Sequence, residues 1–181
     1  CLKSIQANTA GEDYEVVVVD NGSTDGTPGF LKVEEAAGRL RVVGNSENLG
    51  FAKACNQGAQ VARGEYVLFL HNDTEVQAGW LDPLLSLADA DASIAAVGGK
   101  LLFPDGTLQH AGVAIGEVIG RDPLLAVHAF YKAPADLPEA NQRRVYQALT
   151  AACLLVRRSA FETVGGFDEG YWNGYEDVDL C

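Results

Sequence analysis

Three short polar stretches hold the residues of this chain whose types and spacing could do chemistry. The first is Asp20-Asn21-Gly22-Ser23-Thr24-Asp25, directly behind the valines Val16 to Val19. A carboxylate such as Asp20 can accept a hydrogen bond from a nucleobase N–H, and Asn21, Ser23 and the loop amides can serve a ribose or a phosphate. The second is His71-Asn72-Asp73-Thr74, behind the apolar run ending at Leu70. Hard cations such as Mg²⁺ and Mn²⁺ take oxygen ligands, often one or two carboxylates plus phosphate oxygens, so Asp73 is a candidate metal ligand. His71 is a candidate second ligand or a contact behind the first. The third is Glu176-Asp177 in GYWNGYEDVDLC, where Tyr171, Trp172 and Tyr175 interleave with glycines. An apolar, aromatic setting can raise a carboxylate's pKa by desolvation, which suits a general base near neutral pH. Each stretch also has a purely structural reading. Asp, Asn, Gly and Ser make ordinary turns, Asp73-Thr74 can cap a helix, and Glu176-Asp177 can start one.

The elements that must hold these stretches follow from periodicity. Glu15 to Val19, Leu40 to Val43, Glu65 to Leu70, Ile94 to Phe103 and Ala151 to Val156 are short apolar runs bounded by turn residues, and predict strands. Between them lie helical patterns. Leu2 and Ile5 mark the tail of one helix. Thr27-Pro28 opens a second as hydroxyl cap and first-turn proline, and Gly38 stops it. Asn48-Leu49-Gly50 opens a third, with Phe51, Cys55, Ala59 and Ala62 on one face and Lys53, Asn56 and Gln57 on another. Leu81, Leu84, Leu85 and Ala88 form the stripe of a fourth, and Phe161 begins a short one ended by Gly165-Gly166. Gly116 to Arg144 reads as an irregular excursion, with a short helix near Glu139–Arg144. Strands alternating with helices predict an α/β domain, a mostly parallel sheet with helices on both faces. In such a sheet ligands bind outside the carboxyl ends of the strands, which is where Asp20 and Asp73 fall.

Composition narrows the function classes. The 181 residues fit one domain with a real core. A formal net charge of −12 argues against a nucleic-acid backbone or an anionic lipid surface as the main partner. No apolar run approaches the ~20 residues of a membrane span. The four cysteines, Cys1, Cys55, Cys153 and Cys181, are widely spaced, without zinc-ligand spacing, and reduced thiols in the cytoplasm are the expectation. The chain contains no methionine and stops inside a polar motif, which reads as a piece of a longer protein.

Taken in order, VVVVDNGSTDGT, NLGFAKACNQGAQVARGEYVLFLHNDT, GGKLLFPDGTLQHAGV and TAACLLVRRSAFETVGGFDEGYWNGYEDVDLC strongly resemble glycosyltransferase family 2. These are inverting, nucleotide-sugar-dependent enzymes of GT-A fold. The resemblance covers nearly the whole chain and is weakest between Gly116 and Arg144. It implies a single domain over residues 1–181 that lacks the family's usual first strand and its C-terminal end. Asp20 falls on the aspartate that contacts the nucleobase, with Asn21, Ser23 and Asp25 in the same loop. Asn48, Gly50 and Lys53 fall where the family lines its nucleotide pocket. His71-Asn72-Asp73 falls on an Asp-x-Asp-like segment, with Asp73 holding a divalent cation, Mn²⁺ or Mg²⁺, and His71 in place of the first aspartate. Asp177 matches the catalytic base, supported by Glu176.

The implied reaction moves a sugar from a nucleotide-diphospho-sugar donor to a hydroxyl of a carbohydrate or lipid-linked acceptor, in polysaccharide or cell-surface glycan synthesis. The excursion over 116–144 would shape the acceptor side. Two other readings stand beside it: a nucleotide-sugar-binding module without catalysis, and a sugar-nucleotide pyrophosphorylase on the same sheet architecture. Uracil, thymine and guanine all offer donors to Asp20, so the base stays open. The cytoplasmic assignment includes attachment to the inner membrane face through other parts of the protein.

Overall fold

A computed structural model describes residues 1–11, 13–118 and 121–181, with backbone alone at 118 and 121–124. Helix α1 (Leu2–Asn8) leads into strand β1 (Val17–Asn21). Helix α2 (Thr27–Ala36) crosses to β2 (Arg41–Asn45), which pairs with β1 in parallel from Val17↔Arg41 to Asn21↔Asn45. The expected hydroxyl cap of α2 is not made. Gly26 is its N-cap residue, and the amide of Thr27 instead donates to Asp25 Oδ1 at 2.8 Å.

Helix α3 (Phe51–Val61) then leads to β3 (Tyr66–Leu70), and α4 (Asp82–Ala90) to β4 (Ala96–Gly98). A single strand over Ile94 to Phe103 is not what forms. The chain breaks after Gly98, and β5 (Leu101–Leu102) pairs with β6 (Leu108–His110) in a separate sheet. The break follows from Gly99, which lies against the side chain of Cys153 and has no room for one of its own.

The stretch read as irregular is partly regular. Strands β7 (Val113–Val118) and β8 (Arg121–His128) form an antiparallel hairpin with Val113 opposite His128. The weakly patterned sequence hides it, because Ala114 and Gly116 supply no polar contrast and Pro123 sits inside β8. Ile119 and Gly120, also in that stretch, lie outside the described residues. The expected short helix is one 3₁₀ turn at Pro138–Asn141.

Strand β9 (Cys153–Arg157) enters last and lies in the middle, antiparallel to both β3 and β4. Among the described residues the parallel pairing is that of β1 with β2, which form a sheet of their own, and β3, β9 and β4 form a second sheet in which both pairings are antiparallel. Residues 153–156 are all buried, which accounts for their unbroken apolar run. Leu154 and Val156 join Val67, Phe69, Ala52 and Ala59 on one face, where α5 (Arg158–Val164) adds Phe161. Cys153 and Leu155 join Val97, Leu84 and Ala88 on the other. Helices thus cover both faces, and each buried leucine contributes about 1.5–3 kcal/mol. A last short helix, α6 (Glu176–Leu180), ends the chain.

Candidate active site

The loop after β1 is built by side-chain amides. Asn21 donates from Nδ2 to Asn48 Oδ1 (2.9 Å) and to the Gly50 carbonyl (3.1 Å). Its Oδ1 accepts from Asn45 Nδ2 and from the Leu49 amide, both at 3.0 Å. Asn45 and Gln57 exchange amide hydrogen bonds of 2.7 and 3.1 Å. Asn21 and Asn48 are thus knitted into the protein and shape the loop. Asp20 spends Oδ1 on the Ser23 amide (3.0 Å), which leaves Oδ2 for a ligand. Asp25 serves the start of α2, and its hydrogen bonds from Thr27 hold its carboxyl below the usual range. Ser23 and Lys53 are exposed.

Gly50 joins this loop to the last motif. With φ of 88° it occupies the left-handed region, and a side chain there would meet the Trp172 carbonyl at 3.0 Å. The next amide, of Phe51, donates to that same carbonyl at 3.0 Å. Phe51 also meets the ring of His71 edge-on, with centroids 5.2 Å apart. One short contact chain therefore links the loops after β1 and β3 and the loop before α6.

Beyond β3 the chain turns at once. Thr74 donates to the His71 carbonyl from its hydroxyl (2.7 Å) and from its amide (3.2 Å). Asp73 sits exposed in this turn. Among the described residues no group of three or more His, Cys, Asp or Glu side chains is placed to hold a metal ion. An exposed carboxylate such as Asp73 fits a cation that takes its other ligands from phosphate oxygens and water. His71 is turned against Phe51.

The Glu176-Asp177 pair divides. Asp177 Oδ2 accepts the Ala151 amide at 2.9 Å and Oδ1 the Val178 amide at 2.9 Å. Each oxygen keeps a free lone pair. Asp177 lines a cleft of about 240 Å³ together with His128, Thr150, Tyr175 and the apolar Val113 and Val127. Glu176 points inward, 5% exposed, and its Oε2 has no hydrogen-bond partner. Burial, with the Glu176 charge adding to it, pushes the Cys55 thiol up to about 12. Tyr175, which precedes the pair, holds φ of 71°, a left-handed conformation that costs a bulky residue about 1–3 kcal/mol. A second hollow, around Glu15, Arg39, Arg41 and Arg63, lies at the opposite end of β1 and β2.

Sequence reading missed His128 and Thr150 as lining residues. The hairpin register carries His128 there, and no sequence spacing announces it.

The profile of Glycosyl transferase family 2 matches residues 1–165. The chain belongs to this family. Its relatives include the O-antigen biosynthesis protein RfbC of Myxococcus xanthus, 37% identical over 185 residues, covering 99% of this chain and 14% of that protein. The N-acetylglucosaminyl-diphospho-decaprenol L-rhamnosyltransferase of Mycobacterium tuberculosis is 31% identical over 182 residues, covering 91% of this chain and 59% of that enzyme. The family 2 domain described here thus spans from 14% to 59% of the length of these two relatives.

Among solved structures, the mannosyltransferase PcManGT of Pyrobaculum calidifontis, in complex with GDP-Man and Mn²⁺, superposes with a TM-score of 0.65 at 23% identity. That match covers 99% of this chain and 46% of the other. The fold is that of a GT-A glycosyltransferase domain. No helix among the described residues is long and apolar enough to cross a membrane.

Proposed function

We propose that this family 2 domain transfers a sugar, with inversion, from a nucleotide-diphospho-sugar to an acceptor hydroxyl. The observation that carries the proposal is the Asp177 carboxylate. Two backbone amides orient it and the cleft opens beside it. A carboxylate held in this way can take the proton of a hydroxyl as that hydroxyl attacks the anomeric carbon from the face opposite the leaving group. Glu176, the buried neighbour of Asp177 in α6, would support it. Asp20 Oδ2 and Ser23 would meet the nucleoside and Lys53 the diphosphate, and the network of Asn21 and Asn48, in which the Leu49 and Gly50 amides are spent, would hold that loop in shape.

Asp73, with His71 near it, would hold a divalent cation, which when bound neutralises charge on the departing diphosphate. The Mn²⁺ in the related mannosyltransferase complex supports this reading. The activities of the two relatives, O-antigen biosynthesis and L-rhamnosyl transfer, support a role in assembling surface polysaccharide. All four cysteines are free, which supports a cytoplasmic setting.

A thermal-shift panel on the full-length protein tests the donor side, with UDP, dTDP and GDP each with and without Mn²⁺. A nucleotide at ~100 times its dissociation constant adds about 2.7 kcal/mol, a rise of roughly 5–10 °C. The expected result is a Mn²⁺-dependent rise with one nucleotide that Asp73→Asn removes. No rise with any nucleotide, or a rise indifferent to both Mn²⁺ and Asp73, contradicts the assignment.

A further inference from the structure

His110 and His128 have no part in the reading above except that His128 lines the cleft. They are 18 residues apart in sequence, yet their Nδ1 atoms lie 2.8 Å from each other. The rings meet edge to face with centroids 5.0 Å apart, and Tyr131 stacks with His128 at 6.5 Å. His110 is 1% exposed, and its Nε2 is buried with no partner.

We propose that His128 binds the acceptor through Nε2–H, and that His110 is the positioning residue that fixes this tautomer. The proposal rests on the transferase reading for the identity of the ligand. Burial, followed by the neighbouring His128, pushes His110 down to about 4, against the pull of Asp177, so its ring is neutral near pH 7. A neutral imidazole has one N–H and one lone pair. An Nδ1–Nδ1 hydrogen bond needs one of each. A buried orphan N–H is rarer in proteins than a buried acceptor left short of partners. The proton of His110 therefore sits on Nδ1 and donates to His128, and the unpartnered Nε2 is a lone pair. His128 Nδ1 accepts, so its own proton is on Nε2, the ring nitrogen that remains for the cleft.

The cleft then offers an acceptor beside a donor. Asp177 accepts from the attacking hydroxyl, while His128 Nε2–H donates to a second oxygen of the same molecule. Val113 and Val127 supply apolar wall for the C–H face of a ring. The ligand class is a pyranoside carrying a second oxygen near the reacting hydroxyl.

The test uses the full-length protein labelled with ¹⁵N at histidine. Long-range ¹H–¹⁵N correlation near pH 7.5 reads each tautomer directly. The expected spectrum has protonated Nδ1 in His110 and protonated Nε2 in His128. A proton on Nδ1 of His128 overturns the proposal whether or not transfer is detected.

Transfer kinetics supply the second arm, because Gln places an amide N–H near the Nε2 position and Asn does not. His128→Asn and His128→Ala are expected to raise the acceptor KM about 5–10-fold, the value of one neutral hydrogen bond, with donor KM unchanged and His128→Gln staying near wild type. An unchanged acceptor KM in His128→Ala contradicts the role. In His110→Phe the His128 signals should become a mixture of tautomers. His128 is exposed, so its variants decide the matter if that core change does not fold. A wild-type protein that transfers nothing would refute the transferase reading alone, and the spectrum would still judge the histidine pair.

Discussion

Asp177 accepts the Ala151 amide at 2.9 Å, so the carboxylate at the start of α6 is fastened to the residues that lead into the central strand β9. A side chain held by the buried Ala151, at the entry to that strand, cannot drift with its own five-residue helix. The same device recurs one loop earlier. Asn56 of α3 grips the Phe167 backbone from both sides, donating to its carbonyl and accepting its amide, each at 2.9 Å.

Replacing Asn56 with Ala would leave two backbone groups of Phe167 without partners, at a residue whose ring packs in the buried aromatic cluster with Phe69 and Phe161. The expected loss is about 2–4 kcal/mol, at ~1–3 kcal/mol per unsatisfied group with some relief from water. Urea denaturation measures it as a lower midpoint at constant slope.

Gly112 lies under the Tyr146 ring. A Cβ there would come within 2.3 Å of the ring at φ of 119°. Gly112→Ala should therefore destabilise the fold by about 2 kcal/mol or more, through both the clash and the backbone conformation. In a double-mutant cycle Tyr146→Ala should recover the steric part and leave the conformational part.

His110 makes stability depend on pH. Its folded pKa of about 4 lies below the ordinary value of 6.5, so between those limits the unfolded chain binds more protons than the folded one. Stability is then complete above pH 6.5 and falls as pH drops toward 4, by on the order of 3 kcal/mol at most. Denaturant midpoints at pH 7 and pH 5 should differ more for wild type than for His110→Phe.

What the sequence made legible depended on burial. β3 and β9 are covered on both faces, so Tyr66–Leu70 and Cys153–Val156 are unbroken apolar runs and were readable as strands. The first two polar stretches were readable as site candidates because each follows an apolar strand, and the third because aromatic residues and glycines surround its carboxylates. The division of labour within them was not. Asn21 and Asn48 carry ligand-like chemistry, yet both ends of the Asn21 amide and Oδ1 of Asn48 are spent within the protein. Glu176 and Asp177 are adjacent in sequence but face opposite ways, one into the core and one into the cleft. The hairpin of β7 and β8 stayed hidden because Ala, Gly and Pro blur its alternation, and with it the meeting of His110 and His128.

The most direct test of the account is the rate of sugar transfer by the full-length protein carrying Asp177→Asn, at saturating donor. Asn keeps the shape of the side chain but cannot take the proton, and its NH2 gives up one of the two backbone amide bonds. The expected result is a loss of about 10²–10⁴-fold in transfer, the usual contribution of a positioned general base, with nucleotide binding intact. Transfer within a few-fold of wild type would contradict it and remove Asp177 from the chemistry.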